Sequence, residues 1–407
     1  MKVIKKDGTL EEYNEQKIIN AIDKSAQREN FTFSQDEYGM ICNRVLNEVD
    51  EEDFENDEVS VGFIHNIVEK TLLDLFPKVG YQYQQYRNYK LDFVHMMDTV
   101  YEESQKIMYI GDKENSNTDS ALVSTKRSLV FNELNKQLYK KFFLTVEERQ
   151  AINDGYIYIH DMSARRDTMN CCLFNVAEVM RGGFEMGNVW YNEPKTLDTA
   201  FDVIGDITLS AASQEYGGFT LPQIDEVLVP YAEKSYEKYK REFYDIADNL
   251  LDYRHSDFEQ KAHDYAMRKV ERDMAQGYQG LEYKFNTVSS SRGDYPFITI
   301  TFGLGTDSFA KMASKTFLRV HREGQGKDGN KKPVLFPKLV FLYTEELHGK
   351  GKVNEDLFEE GIKTSAKTMY PDWLSLDGDT TVSKMYHKYG KVISPMGKCK
   401  SAHVKRY

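Results

Sequence analysis

The sequence predicts an α/β protein of more than one domain, and three observations carry that expectation. Its 407 residues exceed what one ordinary hydrophobic core accommodates, so two or three domains are expected. Apolar residues recur at helical spacing through most of the first hundred positions. Further on, apolar strand-like runs give way to glycine-rich turns and then to new helical patterns, the alternation of an α/β chain.

Composition narrows the function classes. The chain is 40% hydrophobic and 29% charged, as in a soluble globular protein, and no apolar run reaches the ~18 residues that span a bilayer. Met1 to Tyr13 carries charge but no apolar signal-peptide core. Four cysteines in a chain of this length do not make a disulfide framework, which points to a reducing cytoplasm. Cys42, Cys171, Cys172 and Cys399 form no Cys-x-x-Cys pair, so no metal site is expected. The net charge of −12 argues against a general nucleic-acid binder, and any phosphate ligand must meet a local basic cluster. The 27 tyrosines and 23 phenylalanines suit either a large core or a nucleoside pocket.

Residues 1–9 predict a hairpin, with Val3 and Ile4 before the turn signal Asp7-Gly8 and Leu10 to Tyr13 after it. A helix is expected from about Asn14, with Ile18, Ile19, Ala21 and Ile22 on its apolar side and Lys17 opposite. Further helices fit 35–49, 57–75 and 79–97, with a break at Phe76-Pro77-Lys78-Val79-Gly80. Residues 98–125 are polar and read as a linker or ordered loop. Helices fit 126–141 and 145–154, the second capped by Thr145 with Glu148 three residues on. Gly155 to Asp161 alternates aromatic and aliphatic residues as a buried strand does, ending on His160-Asp161.

Thr168-Met169-Asn170-Cys171-Cys172-Leu173-Phe174-Asn175 places two adjacent thiols in an apolar run. Neighbouring Cα atoms are only ~3.8 Å apart, which strains a bridge between them. On a strand the two side chains face opposite ways. One thiol then enters a site while the other packs as a small hydrophobe, or both are buried structural cysteines.

Residues 197–217 predict an apolar helix and 226–275 long charged helices, with Tyr231, Tyr236, Tyr239 and Phe243 as a packing seam. Residues 280–307, from Leu281–Thr287 through Ser289–Gly293 to Pro296–Thr306, read as a strand leading into a glycine-rich loop and then a helix, a geometry that can hold phosphate or simply turn the chain. A basic loop, Lys327 to Lys332, precedes an apolar strand from Phe336 to Tyr343, and a helix fits 354–369.

Two resemblances follow from these motifs. Val3, Lys5, Lys6, Asp7 and Gly8, then Tyr13, Lys17, Ile18, Ala21 and Ile22, then Val68-Glu69 and Tyr81…Tyr86-Arg87 resemble the ATP-cone, a nucleotide-sensing module. The glycine turn and Lys5, Lys6 and Lys17 suit a polyphosphate. The ordered set His160-Asp161, Asn170-Cys171-Cys172, Gln214…Tyr216-Gly217-Gly218, Asn286-Thr287, Pro296-Phe297…Thr301-Phe302-Gly303, Phe336-Pro337-Lys338, Tyr370-Pro371-Asp372 and Ser394-Pro395-Met396-Gly397 resembles the class III, anaerobic ribonucleoside-triphosphate reductases.

That family resemblance implies an ATP-cone at 1–92, a connecting segment at 93–125, roughly the first half of a ten-stranded α/β barrel at 126–397, and a non-family tail at 398–407. It implies radical reduction of ribonucleoside triphosphates, with Cys171 as the reductant near the ribose and Asn170 and His160 lining the substrate. It further implies ATP, dATP and deoxynucleotide effectors, formate as reductant, a glycyl radical made by a radical-SAM activating enzyme, and a homodimer. Lys195 and Asp206 fall where the family's specificity effector binds. The sequence departs from the pattern after Gly397. The family's thiyl cysteine falls at Lys398, with Cys399 one place late, and the zinc and glycyl-radical motifs do not occur. The expectation is a chain inactive alone, a break of the kind left by a frameshift, intron read-through or split gene, and a sheet edge that a complementing chain would cover. The competing readings are a glycyl-radical enzyme of the pyruvate formate-lyase type, which lacks the cone, and a non-catalytic nucleotide-binding fragment.

Overall fold

The computed structural model describes residues 1–5, 8–51, 58–110, 121–165, 169, 171–215, 217–248, 257–290, 293–390 and 392. Lys6, Asp7, Asn170 and the tail beyond Gly397 lie outside the described residues. The chain forms two compact units, residues 1–102 and 103–407.

The first unit opens with β1 (Lys2–Ile4) and β2 (Leu10–Glu12), antiparallel with Ile4 opposite Leu10, as the hairpin pattern predicts. Two helices follow, α1 (Glu15–Arg28) and α2 (Gln35–Asp50). The Asn14 side chain caps α1 by accepting from the Gln16 amide at 2.9 Å. Ser34 and Glu37 close a reciprocal capping box on α2. The helix expected over 57–75 is shorter at its start. Glu58–Ser60 is β3, parallel to β1, and α3 is Val61–Leu75. Val59 is buried against the helices and Ser60 caps α3 through the Phe63 amide, so a strand and a cap occupy positions that fit helical spacing equally well. The expected break is a single residue, Phe76, because Pro77 opens α4 (Pro77–Ile110), where its missing N–H is no loss. The helix also continues through much of the stretch whose polarity predicts a linker. Ile22, Ile41, Val45, Val59, Val68 and Leu72 form the core, all essentially inaccessible.

The second unit begins with α5 (Val123–Phe143) and α6 (Val146–Asn153), the latter carrying the expected Thr145–Glu148 capping box. The buried strand expected at 155–161 does not form. The Tyr156 and Ile157 amides bond back to the Ala151 carbonyl at the end of α6, and Tyr156 and Tyr158 are 83% and 85% exposed. An aromatic alternation fits a capped helix end as readily as a strand when no partner strand is near. A short 3-10 turn, Met162–Ala164, comes next.

The remaining elements are β4 (Cys172–Leu173), α7 (Val176–Met180), the hairpin β5 (Phe184–Met186) and β6 (Val189–Tyr191), α8 (Leu197–Gln214), β7 (Phe219–Leu221), α9 (Ile224–Ile246), α10 (Phe258–Thr287), β8 (Ile298–Phe302), α11 (Ser308–Glu323), β9 (Lys338–Tyr343), α12 (Glu345–His348), α13 (Glu355–Thr368), β10 (Asp372–Ser375) and α14 (Thr381–Tyr389). Strands β4, β7, β8, β9 and β10 form one parallel sheet in chain order. Parallel neighbours need crossovers, and α8, α9 with α10, α11 and α13 supply them. Every residue of β7 and β8 is buried, as a sheet covered on both faces requires. Tyr231 and Tyr239 are buried on α9, while Phe243 packs on Phe258 and Tyr265, so the aromatic stripe is the expected seam. Leu281 to Thr287 belongs to α10, and β10 is a strand that short local patterning does not reveal.

Candidate functional site

In the first unit, Lys17 on α1 lines a cavity of about 390 Å³ with Lys24, His65, Tyr83, Tyr86, Arg87 and Lys90. A second cavity, about 230 Å³, is lined by the apolar Val3, Ile18, Val61, Ile64 and Val68 and shares Lys17, His65 and Tyr83 with the first. A cationic chamber thus adjoins an apolar one inside a chain that is acidic overall. The Tyr83 hydroxyl meets His65 Nδ1 at 2.5 Å, and burial pushes its ionisation upward. Lys17 and Lys5 each place an ammonium 2.6 Å from the same Glu11 oxygen. Hydrogen bonds from Lys17 and then Lys5 hold the Glu11 carboxyl below the usual range. Arg87 is fixed by Glu69 at 2.8 Å and Asn66 at 2.6 Å.

Of the cone residues expected from the sequence, Val3 and Lys17 reach these cavities and Lys5 joins through Glu11. Gly8, at φ +80°, turns the hairpin, and its amide donates to the Lys5 carbonyl at 3.0 Å, so it is spent inside the turn. Lys24, His65, Tyr83 and Lys90 escape sequence reasoning. They come from three different helices, and only the fold makes them neighbours.

In the second unit, both thiols meet the short segment leading into β7. The Cys172 thiol donates to Glu215 Oε1 at 2.6 Å, and the Gly218 amide donates to Cys171 Sγ at 3.3 Å. The strands are joined beside them by Cys172 N–H to the Gly218 carbonyl at 3.2 Å. Cys172 also packs against the main core. Burial, followed by the Glu215 hydrogen bond, pushes its thiol up to about 12. His160 is held by its neighbour Asp161, Nδ1 to Oδ2 2.6 Å, on a side chain 65% exposed. The structure does not bring it to either thiol among the contacts of the described residues, and Asp161 lies in the left-handed region at φ +53°.

The expected effector residues separate. Lys195 is exposed ahead of α8, whereas Asp206 on α8 lies 3.6 Å from Lys284 of α10. The glycine-rich loop after β8 is also committed internally. The Gly303 amide donates to Asp225, and its carbonyl accepts from His348 at 2.9 Å and Asn354 at 3.1 Å. Among the described residues no group of His, Cys, Asp and Glu is arranged to hold a metal ion, and no helix is long and apolar enough to cross a membrane.

A small strand-and-helix unit with a cationic cavity is followed by a chain-ordered parallel sheet with paired thiols at its edge, the layout of a two-unit α/β protein. A family profile described as an ATP cone domain matches residues 1–91, and one described as anaerobic ribonucleoside-triphosphate reductase matches 114–403. The chain belongs to the anaerobic ribonucleoside-triphosphate reductase family. Proteins bearing that name from Haemophilus influenzae and Escherichia coli K12 are 32% and 30% identical, each over 98% of this chain and 54% of the relative. That of enterobacteria phage T4 is 33% identical over 71% of this chain and 45% of its own. The chain spans about half the length of these relatives. A crystal structure of the anaerobic ribonucleotide reductase from Thermotoga maritima aligns with a TM-score of 0.47 at 15% identity, over 71% of this chain and 50% of that one.

Proposed function

We propose that the first unit binds the regulatory adenine nucleotides ATP and dATP, and that the second contributes the substrate-reducing thiol to anaerobic reduction of ribonucleoside triphosphates. The observation that carries the reading is the paired cavity. Lys17, Lys24, Arg87 and Lys90 suit a triphosphate, while Val3, Ile18, Val61, Ile64 and Val68 suit the base. Equilibrium binding checks it: affinity should rise from adenosine through AMP to ATP and fall with added salt. Equal affinity for adenosine and ATP sinks the reading.

In the second unit Cys171 is the thiol proposed to give a hydrogen atom toward the ribose, with Asn170 and His160 on the substrate side. The parallel sheet is proposed as one half of a ten-stranded barrel. The wider reaction takes formate as reductant and a glycyl radical installed by a radical-SAM activating enzyme, in a cytoplasmic homodimer or with a complementing chain. The described residues offer no ligand set for the family's zinc, and no step here is assigned to it. Lys195 and Asp206 stay proposed for the specificity effector, with Asp206 placed beside Lys284.

A further inference from the structure

We propose that Glu215 makes the two adjacent thiols chemically unequal, reserving reactivity for Cys171 and holding Cys172 as a protonated hydrogen-bond donor. The geometry carries the argument. Glu215 and Gly218 meet the thiol pair with opposite polarity. At one end a buried carboxylate, 5% exposed, accepts the Cys172 proton at 2.6 Å. At the other, a backbone amide donates to Cys171 Sγ at 3.3 Å.

A carboxylate beside a thiol opposes its ionisation, because a second negative charge would face the first. An amide aimed at sulfur does the reverse and favours the thiolate, the form that reacts with electrophiles. The register fixes both contacts. Cys172 pairs with Phe219 and its amide bonds the Gly218 carbonyl, so the β4–β7 ladder holds the thiol pair beside Glu215 and Gly218. Glu215 is therefore a positioning residue. It ties down Cys172 and leaves its neighbour as the single reactive thiol of the pair. That Cys171 is the thiol facing the ribose rests on the reductase reading; the inequality of the thiols does not.

The test is alkylation of the full chain by iodoacetamide at pH 8, with label at each cysteine assigned by peptide fragmentation. The two tryptophans, Trp190 and Trp373, lie in the same unit as the thiols, so tryptophan fluorescence reports on its folding. In the native protein Cys171 should label at least about tenfold faster than Cys172, and the two should converge in denaturant. In Glu215→Gln and Glu215→Ala the Cys172 rate should rise roughly tenfold while the native fluorescence is kept. Equal native rates overturn the proposal. So does a Cys172 that stays slow in both variants with native fluorescence. If the variants lose the native fluorescence, the wild-type pH series decides. A preference for Cys171 that persists from pH 7 to 10 supports the proposal, and convergence below pH 9 overturns it. No nucleotide is involved, so failure here is separable from failure of nucleotide binding or reduction.

Discussion

Asp225, in the first turn of α9, reaches the backbone of Gly303 at the end of β8, and its Oδ2 accepts from the Gly303 amide and the Ser314 hydroxyl, each at 2.9 Å. The carboxyl is fully inaccessible, and Oδ1 has no hydrogen-bond partner among the described residues. Burial pushes it up to about 6, against hydrogen bonds, that from the Gly303 amide foremost, that pull it down. Raised in the folded state, its contribution to stability is complete below pH ~4 and is lost as pH climbs through about 6, on the order of 3 kcal/mol. Asp225→Asn keeps an acceptor and removes the charge. It should match or exceed wild type at pH 7.5, with its advantage shrinking toward pH 4 in thermal melts. Asp225→Ala should lose about 2–4 kcal/mol, since the Gly303 amide is left without its partner.

Two glycines of α10 give opposite expectations. A Cβ on Gly277 would lie 2.1 Å from the Phe201 ring, whereas one on Gly280 meets nothing within 4 Å. Gly277→Ala should destabilise by about 2–3 kcal/mol, because the ring is in the packed core and has little room to retreat. Gly280→Ala should stabilise by about 0.5–1 kcal/mol through lower chain entropy. Chemical denaturation of the two variants reads the contrast directly.

Glu282 and His321 meet in the core between α10 and α11, Oε1 to Nδ1 3.1 Å, both with no side-chain exposure. Gln325 completes the carboxylate at 2.5 Å. His321→Leu should cost about 3–5 kcal/mol by leaving the acid buried without its ring partner, and the double variant with Glu282→Leu should recover part of that loss. A double-mutant cycle in denaturant measures the coupling.

Much of this architecture is legible in the sequence because local chemistry decides it. Thr145–Glu148 announces a helix start, and the run before Gly303 announces a buried strand. What was not legible depends on partners distant in sequence. Glu58–Ser60 becomes a strand only because β1 is available to pair, and Tyr156 to Tyr158 pair with no strand among the described residues and stay exposed. The site divides the same way. Lys17 and the thiol pair stand out by residue type and spacing. Tyr83, Lys90 and Glu215 acquire meaning only once helices and strands bring them to Lys17 and Cys172.

The central claim is that the cationic cavity of the first unit holds a nucleoside triphosphate. Calorimetric titration of ATP into the full chain and into Lys24→Ala/Lys90→Ala tests it most directly, since both lysines are exposed on the cavity wall and outside the core. The account predicts saturable binding to wild type, weakened at least about tenfold in the variant with its melting temperature retained. No binding by wild type, or undiminished affinity in the folded variant, would contradict it.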